Sequence, residues 1–193
     1  MNLLDFARGP GLQVSLVVLI IGVFWRLLGS YLLVRNRDFS KPRETGTVRG
    51  GLRTIFSRFW HHKEFVKPTA FHLVAGYVLH IGLLVVVFLF VPHIVFLKGL
   101  TGLSWPGLPN DLVLLAGALT IAALVALLIR RLTHPVMRLI SNADDYFSWL
   151  ITLLPLVTGI LAYAHLGADY ETLLAIHLLS VEALLIWFPF GKL

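Results

Sequence analysis

The sequence predicts an all-α integral membrane protein, a bundle of five transmembrane helices. Composition is the first observation: 58% of the 193 residues are hydrophobic and only 13% are charged, whereas soluble domains carry about 25% charged residues. Length is the second, since five apolar segments reach the roughly 20 residues that a helix needs to cross a bilayer. Together these observations exclude a soluble enzyme and a disordered chain.

The five predicted spans belong to a single domain, residues 1–193. Each span is apolar nearly all round and too long for a strand. The first has no basic segment before it and no small-residue cleavage site after it, so we expect a retained helix and not a signal peptide. The spans are expected at about residues 12–34, 71–91, 112–129, 146–164 and 172–190.

Lysine and arginine are concentrated on one side of the predicted bundle. Thirteen of them lie between spans one and two, between spans three and four, or after span five, whereas Arg8 and Lys98 lie on the other side. Basic loops stay in the cytoplasm, which predicts an outside N-terminus and a cytoplasmic C-terminus. The net charge of +6 therefore reflects topology. It suits lipid headgroups or an anionic partner and does not indicate nucleic-acid binding.

Two loops are long enough to have structure of their own. Residues 52–65 of the first cytoplasmic loop mix apolar and basic side chains, which predicts an amphipathic interfacial helix. That helix can lie on lipid or dock a soluble subunit. The outer loop, residues 92–111, contains Trp105, Pro106 and Pro109 and is typical of a turn-rich cap.

The chain has no cysteine, which excludes a disulfide, a thiolate zinc site and an iron–sulfur cluster of its own. Any redox chemistry therefore needs a cofactor held by another type of ligand. Histidine, with 8 copies, is the obvious candidate. Ionisable side chains at membrane depth are costly unless they are paired or bound, so each is a functional hypothesis.

Three histidines lie within predicted spans. His72 and His80 are eight residues apart on span two, about 12 Å along the axis, and can share a face of the helix. Span five runs antiparallel to span two, so His177 can approach His80. Two imidazoles on facing helices can hold the iron of a b haem from opposite sides, and Gly76 would let the macrocycle approach the backbone. The alternative is hydrogen bonding between helices.

Other polar residues have two interpretations each. Arg26 can reach the membrane surface or neutralise a haem propionate. Glu182 can move protons or hydrogen-bond a neighbouring helix. His93 is a secondary haem-ligand candidate, and together with Lys98 it can bind a quinone carbonyl or lipid headgroups. Pro155 and Gly159 predict a kink that makes room for a cofactor, and three further histidines are expected to be exposed in the cytoplasm: His61, His62 and His134.

Several short motifs occur in a characteristic order along the chain. They are Gly22-Val23-Phe24-Trp25-Arg26, His80-Ile81-Gly82-Leu83-Leu84, Pro92-His93, and His177-Leu178-Leu179 leading to Phe188-Pro189-Phe190-Gly191-Lys192-Leu193. With these motifs the chain resembles the gamma subunit of respiratory nitrate reductase. It is also similar to the related membrane cytochromes b of heterodisulfide-reductase-like complexes. The resemblance covers nearly the whole chain.

The resemblance implies a cytochrome b subunit in the cytoplasmic membrane of a prokaryote. Such a subunit takes part in a quinol-linked oxidoreductase: it exchanges electrons between the quinone pool and a cytoplasmic iron–sulfur subunit, and the terminal catalytic site lies on a partner. By position, His177 resembles a ligand of the outer haem, with His80 or His72 opposite. The family's last histidine ligand has no counterpart before Leu193, so one haem or two remains open. The alternative is a haem-free membrane anchor or small transporter.

Overall fold

The computed structural model describes residues 2–33, 46–59 and 63–193. Over these residues the chain is helical, with no strand, and five helices are long and apolar enough to cross a membrane. The all-α prediction and the number of spans are therefore confirmed. The predicted residues His61 and His62 lie outside the described residues, as do the first four basic residues of the segment between the first two spans.

The helices are α1 (Leu3–Phe6), α2 (Leu12–Leu33), α3 (Thr47–Arg58), α4 (Lys63–Leu89), α5 (Val91–Thr101), α6 (Asn110–Thr133), α7 (Pro135–Ile140), α8 (Ala143–Ala164) and α9 (Tyr170–Trp187). A π-helical turn, Ala7–Gly11, joins α1 to α2, so that the first apolar helix runs over Leu3–Leu33. It starts nine residues before the predicted position, because the apolar sequence continues through this turn and its proline.

Side-chain caps set the start of the last two spans. Asn142 accepts the backbone N–H of Asp145, and the Asp145 carboxylate accepts the N–H of Asn142, so α8 begins three residues before the predicted start. Asp169 likewise accepts the N–H of Thr172 and begins α9. Such side chains satisfy amide groups that the first helical turn leaves free.

The segment between the second and third spans contains a helix that was not predicted from the sequence. The backbone of Phe90 is extended, with ψ of 123°, and ends α4; α5 then begins with Pro92 in its first turn and ends at Gly102, which has a φ of 79°. A proline is accepted at the start of a helix and glycine at its left-handed end. The expected cap is thus an 11-residue helix that turns away from α4, followed by a short turn-rich segment.

The amphipathic helix predicted between the first two spans begins earlier in the chain than expected. α3 covers Thr47–Arg58 and ends at a turn at Phe59, whose carbonyl accepts the hydroxyl of Tyr77 on α4. Its apolar residues recur at helical spacing and are exposed, which is the pattern of an interfacial helix. These residues are Val48, Leu52, Ile55, Phe56 and Phe59.

The spans pack in the order α4, α6, α8, α9, α2. Within the described residues α4 and α9 share no extended packing, although the sequence analysis placed them side by side. Small residues mark the contacts, as expected where lipid removes the hydrophobic drive between helices. A Cβ on Gly82 of α4 would overlap the Thr120 hydroxyl of α6, and a Cβ on Gly22 of α2 would overlap Pro189.

The chain end folds against the start of α8 and the middle of α2. Arg26 donates from Nη1 to the carbonyl of Gly191 at 3.1 Å, and Trp187 donates from Nε1 to the Ser148 hydroxyl at 3.0 Å. Lys192 forms an ion pair with Asp145 at 2.8 Å. The residues 188–190 that the sequence analysis included in span five therefore form this terminal turn, because Pro189 cannot continue the helix hydrogen bonds.

Candidate metal centre

The imidazole rings of His93 and His177 face each other in this structure. Their centroids are 6.1 Å apart and their planes differ by 9°. His93 lies in the first turn of α5, directly after the break at Phe90, and His177 lies two turns into α9. Both side chains are partly buried. The turn at Phe90 therefore places His93 over α9, although α4 itself does not pack along α9.

A backbone carbonyl at the end of α4 orients the His93 ring. Nδ1 of His93 lies 2.8 Å from the carbonyl oxygen of Val86, and since a carbonyl only accepts, Nδ1 carries the proton. Burial lowers the pKa of His93, and the hydrogen bond to Val86 raises it less. The ring is therefore neutral at physiological pH, and its Nε2 keeps the lone pair that can bind a metal.

A hydroxyl pair orients the His177 ring. Nδ1 of His177 lies 3.2 Å from the Thr158 hydroxyl, which donates to the carbonyl of Leu154 at 2.7 Å and so accepts the Nδ1 proton. Ser180 stands 2.9 Å from the same hydroxyl and donates to the carbonyl of His177. With its proton on Nδ1, His177 keeps a lone pair on Nε2, as His93 does.

Gly159 provides the space that the His177 ring occupies. A Cβ at this position would stand 3.1 Å from Cε1 and 3.3 Å from Nδ1 of His177, closer than ordinary van der Waals contact. The sequence analysis associated Gly159 with a kink that makes room for a cofactor; in the structure the room is used by the histidine itself. Phe90 covers the other side, edge-on to His93 at 5.2 Å and to Tyr163 at 5.7 Å.

The number of these ligands matches what a haem iron takes from a protein. Imidazole nitrogens bind first-row metal ions at about 2 Å through in-plane lone pairs, so one ion shared by these rings requires that their two Nε2 atoms point at each other. Among the described residues no cluster of three or more His, Cys, Asp or Glu could hold a metal ion. Two ligands are too few for a structural zinc ion, but they suffice for an iron whose other four ligands belong to a porphyrin.

The remaining sequence-predicted ligands lie elsewhere. His80 is exposed, and its Nδ1 is 2.7 Å from the carbonyl oxygen of Gly76. Gly76 faces open space, since a Cβ added to it would have no atom within 4 Å. His80 is roughly 160° around α4 from Gly82, which faces α6. His72 accepts a hydrogen bond at Nε2 from Arg130, at 3.2 Å.

The two other predicted site residues also have defined positions. Arg26 binds the carbonyl of Gly191, as the fold of the chain end requires, and Lys98 is exposed on α5. The structure thus joins His177 to His93, which the sequence analysis offered only as a secondary ligand. Pro92 was the available signal, because a proline directly before a histidine at a span end predicts a new helix in a new direction.

Fold and site together define a multi-pass helical membrane protein with a histidine pair near one end of its bundle. The chain belongs to the same family as a protein of Nitratidesulfovibrio vulgaris (strain Hildenborough), to which it is 30% identical over 201 residues, covering 97% of this chain and 84% of the relative. That relative's name states no activity. No family model matches the chain, and no solved structure matches it.

Proposed function

We propose that this chain is a membrane cytochrome b subunit of a respiratory oxidoreductase complex. It exchanges electrons between the quinone pool and a cytoplasmic iron–sulfur or catalytic partner, and His93 and His177 are the axial ligands of one b haem. The observation that supports this proposal most is the near-parallel ring pair with a centroid separation of 6.1 Å. A haem held by two imidazoles is six-coordinate and suited to one-electron transfer.

The residues around the pair have defined tasks in this proposal. Val86 and Thr158 hold the Nδ1 protons, so that each ring keeps one tautomer and one orientation. Partners of this kind raise the basicity of a ligating histidine. Phe90 and Tyr163 restrict water on the outer side of the pair, and a dry site favours the neutral rings that a metal requires.

The position of the pair agrees with oxidation of quinol near the outer surface. His177 is seven residues into α9, about 10 Å from its start, and the basic residues of the other bundle end are expected in the cytoplasm of a prokaryote. His93 is assigned to the metal in this proposal, which leaves exposed Lys98 as the quinone candidate. His72 is bound by Arg130 and His80 is exposed, so neither is assigned to the haem in this proposal.

A spectrum of membranes that contain only this chain tests the proposal. The reduced-minus-oxidised difference should show a b-type signal that is lost in His93→Ala and in His177→Ala. His165→Ala is the matched control, because His165 is exposed at the same end of the bundle and stacks only on Tyr170. A flat wild-type spectrum would contradict the proposal and favour a haem-free anchor or small transporter.

A further inference from the structure

Glu182 is a carboxyl group inside the bundle that the histidine pair does not use. It lies on α9, is 6% exposed, and is twelve residues from the start of this span, about 18 Å along the axis. Its Oε1 is buried and has no hydrogen-bond partner in the described part of the chain. The group is therefore about two-thirds of the way along α9, inside the span.

A stripe of small residues on the first helix accommodates this carboxyl group. Ala7, Gly11 and Ser15 recur every four residues and are buried, on the helix that packs against α9. A Cβ on Gly11 would stand 2.5 Å from Oε2 of Glu182, so the carboxyl rests directly against the glycine backbone. Any larger residue at position 11 would displace it.

The surroundings supply no cation or donor for an ionised Glu182. Ser15 already donates its hydroxyl to the carbonyl of Leu12 at 2.9 Å, and Arg26 is bound at Gly191. The titratable and charged residues on the elements that pack against this part of α9, and on α9 itself, are Asp5, Arg8, Arg26, Tyr31, Asp144, Asp145, Tyr146, Tyr163, Tyr170, Glu171 and His177. No hydrogen bond or ion pair joins any of them to Glu182 within the described residues.

An isolated carboxylate in a low-dielectric interior is far more costly than the neutral acid. The π-helical turn Ala7–Gly11 lies against this group, and π turns within helices are frequent at functional sites. Pro10 has no N–H to contribute to the turn. Arg8, in the same turn, is exposed, so the turn extends from the buried carboxyl to the surface of the bundle.

From this geometry we propose that Glu182 and the turn Ala7–Gly11 form a proton-binding site within the membrane. Glu182 holds its proton at neutral pH and exchanges it along the α1 end of the bundle. The site is separate from the histidine pair, because Glu182 is five residues beyond His177 and about 140° around the helix from it. The inference does not depend on haem binding.

A hydrophobic carbodiimide tests this site directly. Dicyclohexylcarbodiimide adds to protonated carboxyl groups: the acid proton moves to one nitrogen of the reagent and a carboxyl oxygen bonds to its central carbon. The O-acylurea then rearranges to a stable N-acylurea, so the reagent is added whole and no group leaves. We expect peptide mass spectrometry of the full-length chain in membranes to show the adduct on Glu182.

Two controls make the result specific. A water-soluble carbodiimide should modify Glu171, which is exposed in the first turn of the same helix, and leave Glu182 unmodified. Glu182→Gln should remove the hydrophobic adduct; since the wild-type peptide is read directly, the test holds even if this variant folds poorly.

The proposal is overturned if Glu182 stays unmodified by the hydrophobic reagent, or if the water-soluble reagent modifies Glu182 as readily as Glu171. Either result can occur with or without a b-type signal in the same membranes. Failure of the proton site is therefore distinguishable from failure of the cytochrome proposal.

Discussion

The imidazole planes of His93 and His177 differ by 9° across a centroid distance of 6.1 Å. The separation lies within the range of offset ring stacking, and no hydrogen bond joins the two rings in the described part of the chain. Both Nδ1 atoms are instead occupied by partners on α4 and α8. The arrangement is thus held by hydrogen bonds to the bundle on both sides of the pair.

Removal of the Thr158 hydroxyl should weaken haem binding without unfolding the bundle. Thr158→Val keeps the shape of the side chain but removes the hydroxyl that lies 3.2 Å from Nδ1 of His177. Loss of such a partner typically reduces metal affinity roughly 10- to 100-fold. Haem titration of the purified chain measures the effect.

Thr158→Ser should restore most of the affinity, because it returns the hydroxyl. Thr133→Val is the matched control, since the exposed Thr133 bonds only the Ile129 carbonyl of its own helix. Equal haem affinities for wild type and Thr158→Val would mean that the Thr158 hydroxyl does not support haem binding.

Gly82→Ala should destabilise the contact between α4 and α6. The new Cβ would overlap the Thr120 hydroxyl and lie 3.2 Å from the Ala116 carbonyl. Overpacking of this kind costs about 1–3 kcal/mol. Thermal unfolding in detergent should show a lower midpoint for this variant.

Gly76→Ala on the same helix is the control, because a Cβ there meets nothing within 4 Å. Its midpoint should equal or exceed that of wild type, since alanine favours the helix. If both variants unfold at the same temperature, the α4–α6 contact does not depend on Gly82.

The start of α9 should lose stability in acid. The backbone N–H of Thr172 holds the pKa of the Asp169 carboxyl below its ordinary value of 3.8. A lowered pKa in the folded state means that the ionised cap stabilises the fold above about pH 4. This contribution is lost as the pH falls through the folded-state pKa.

Asp169→Ala should therefore unfold at a lower temperature than wild type at pH 7, with a difference that shrinks toward pH 3. Asp111→Ala is the comparison, because Asp111 lies in the first turn of α6, a helix whose N-terminus has no side-chain cap. A difference that is constant with pH would mean that the ionised cap is not the cause.

The sidedness of the bundle can be tested with single cysteines, because the chain has none of its own. Leu103 lies between α5 and α6 and is 66% exposed, and Leu139 lies in α7 and is 86% exposed. Leu103→Cys should react with an impermeant maleimide in intact cells, and Leu139→Cys only after the cells are permeabilised. The reverse pattern would overturn the orientation drawn from the basic loops.

The spans are predictable from sequence because apolar length alone decides whether a helix can cross a bilayer. The residues at which the helices begin and end are less predictable. The start of α8, for example, depends on the reciprocal hydrogen bonds of Asn142 and Asp145. The residue that lies opposite His177 is harder still to predict from the sequence. Periodicity along span two places His72 and His80 on a common face, but it carries no information about which helix lies opposite that face.

The change of direction at Phe90 brings His93 over α9, and the packing of α4 on α6 turns His80 away. Both depend on contacts between segments distant in sequence, including the fit of Gly82 against Thr120. The role of Gly159 also depends on a contact with a segment distant in sequence. Its role becomes evident only when the His177 ring of another helix is found against it.

Paramagnetic resonance of the oxidised chain, combined with haem content, tests the central claim most directly. Wild-type protein should give a low-spin ferric signal, since two nitrogen ligands hold the iron. His93→Ala and His177→Ala should each lose that signal or convert it to a high-spin form, while His165→Ala retains it. Loss of the signal in His80→Ala with its retention in His93→Ala would contradict the assignment of His93 and His177 as the ligand pair.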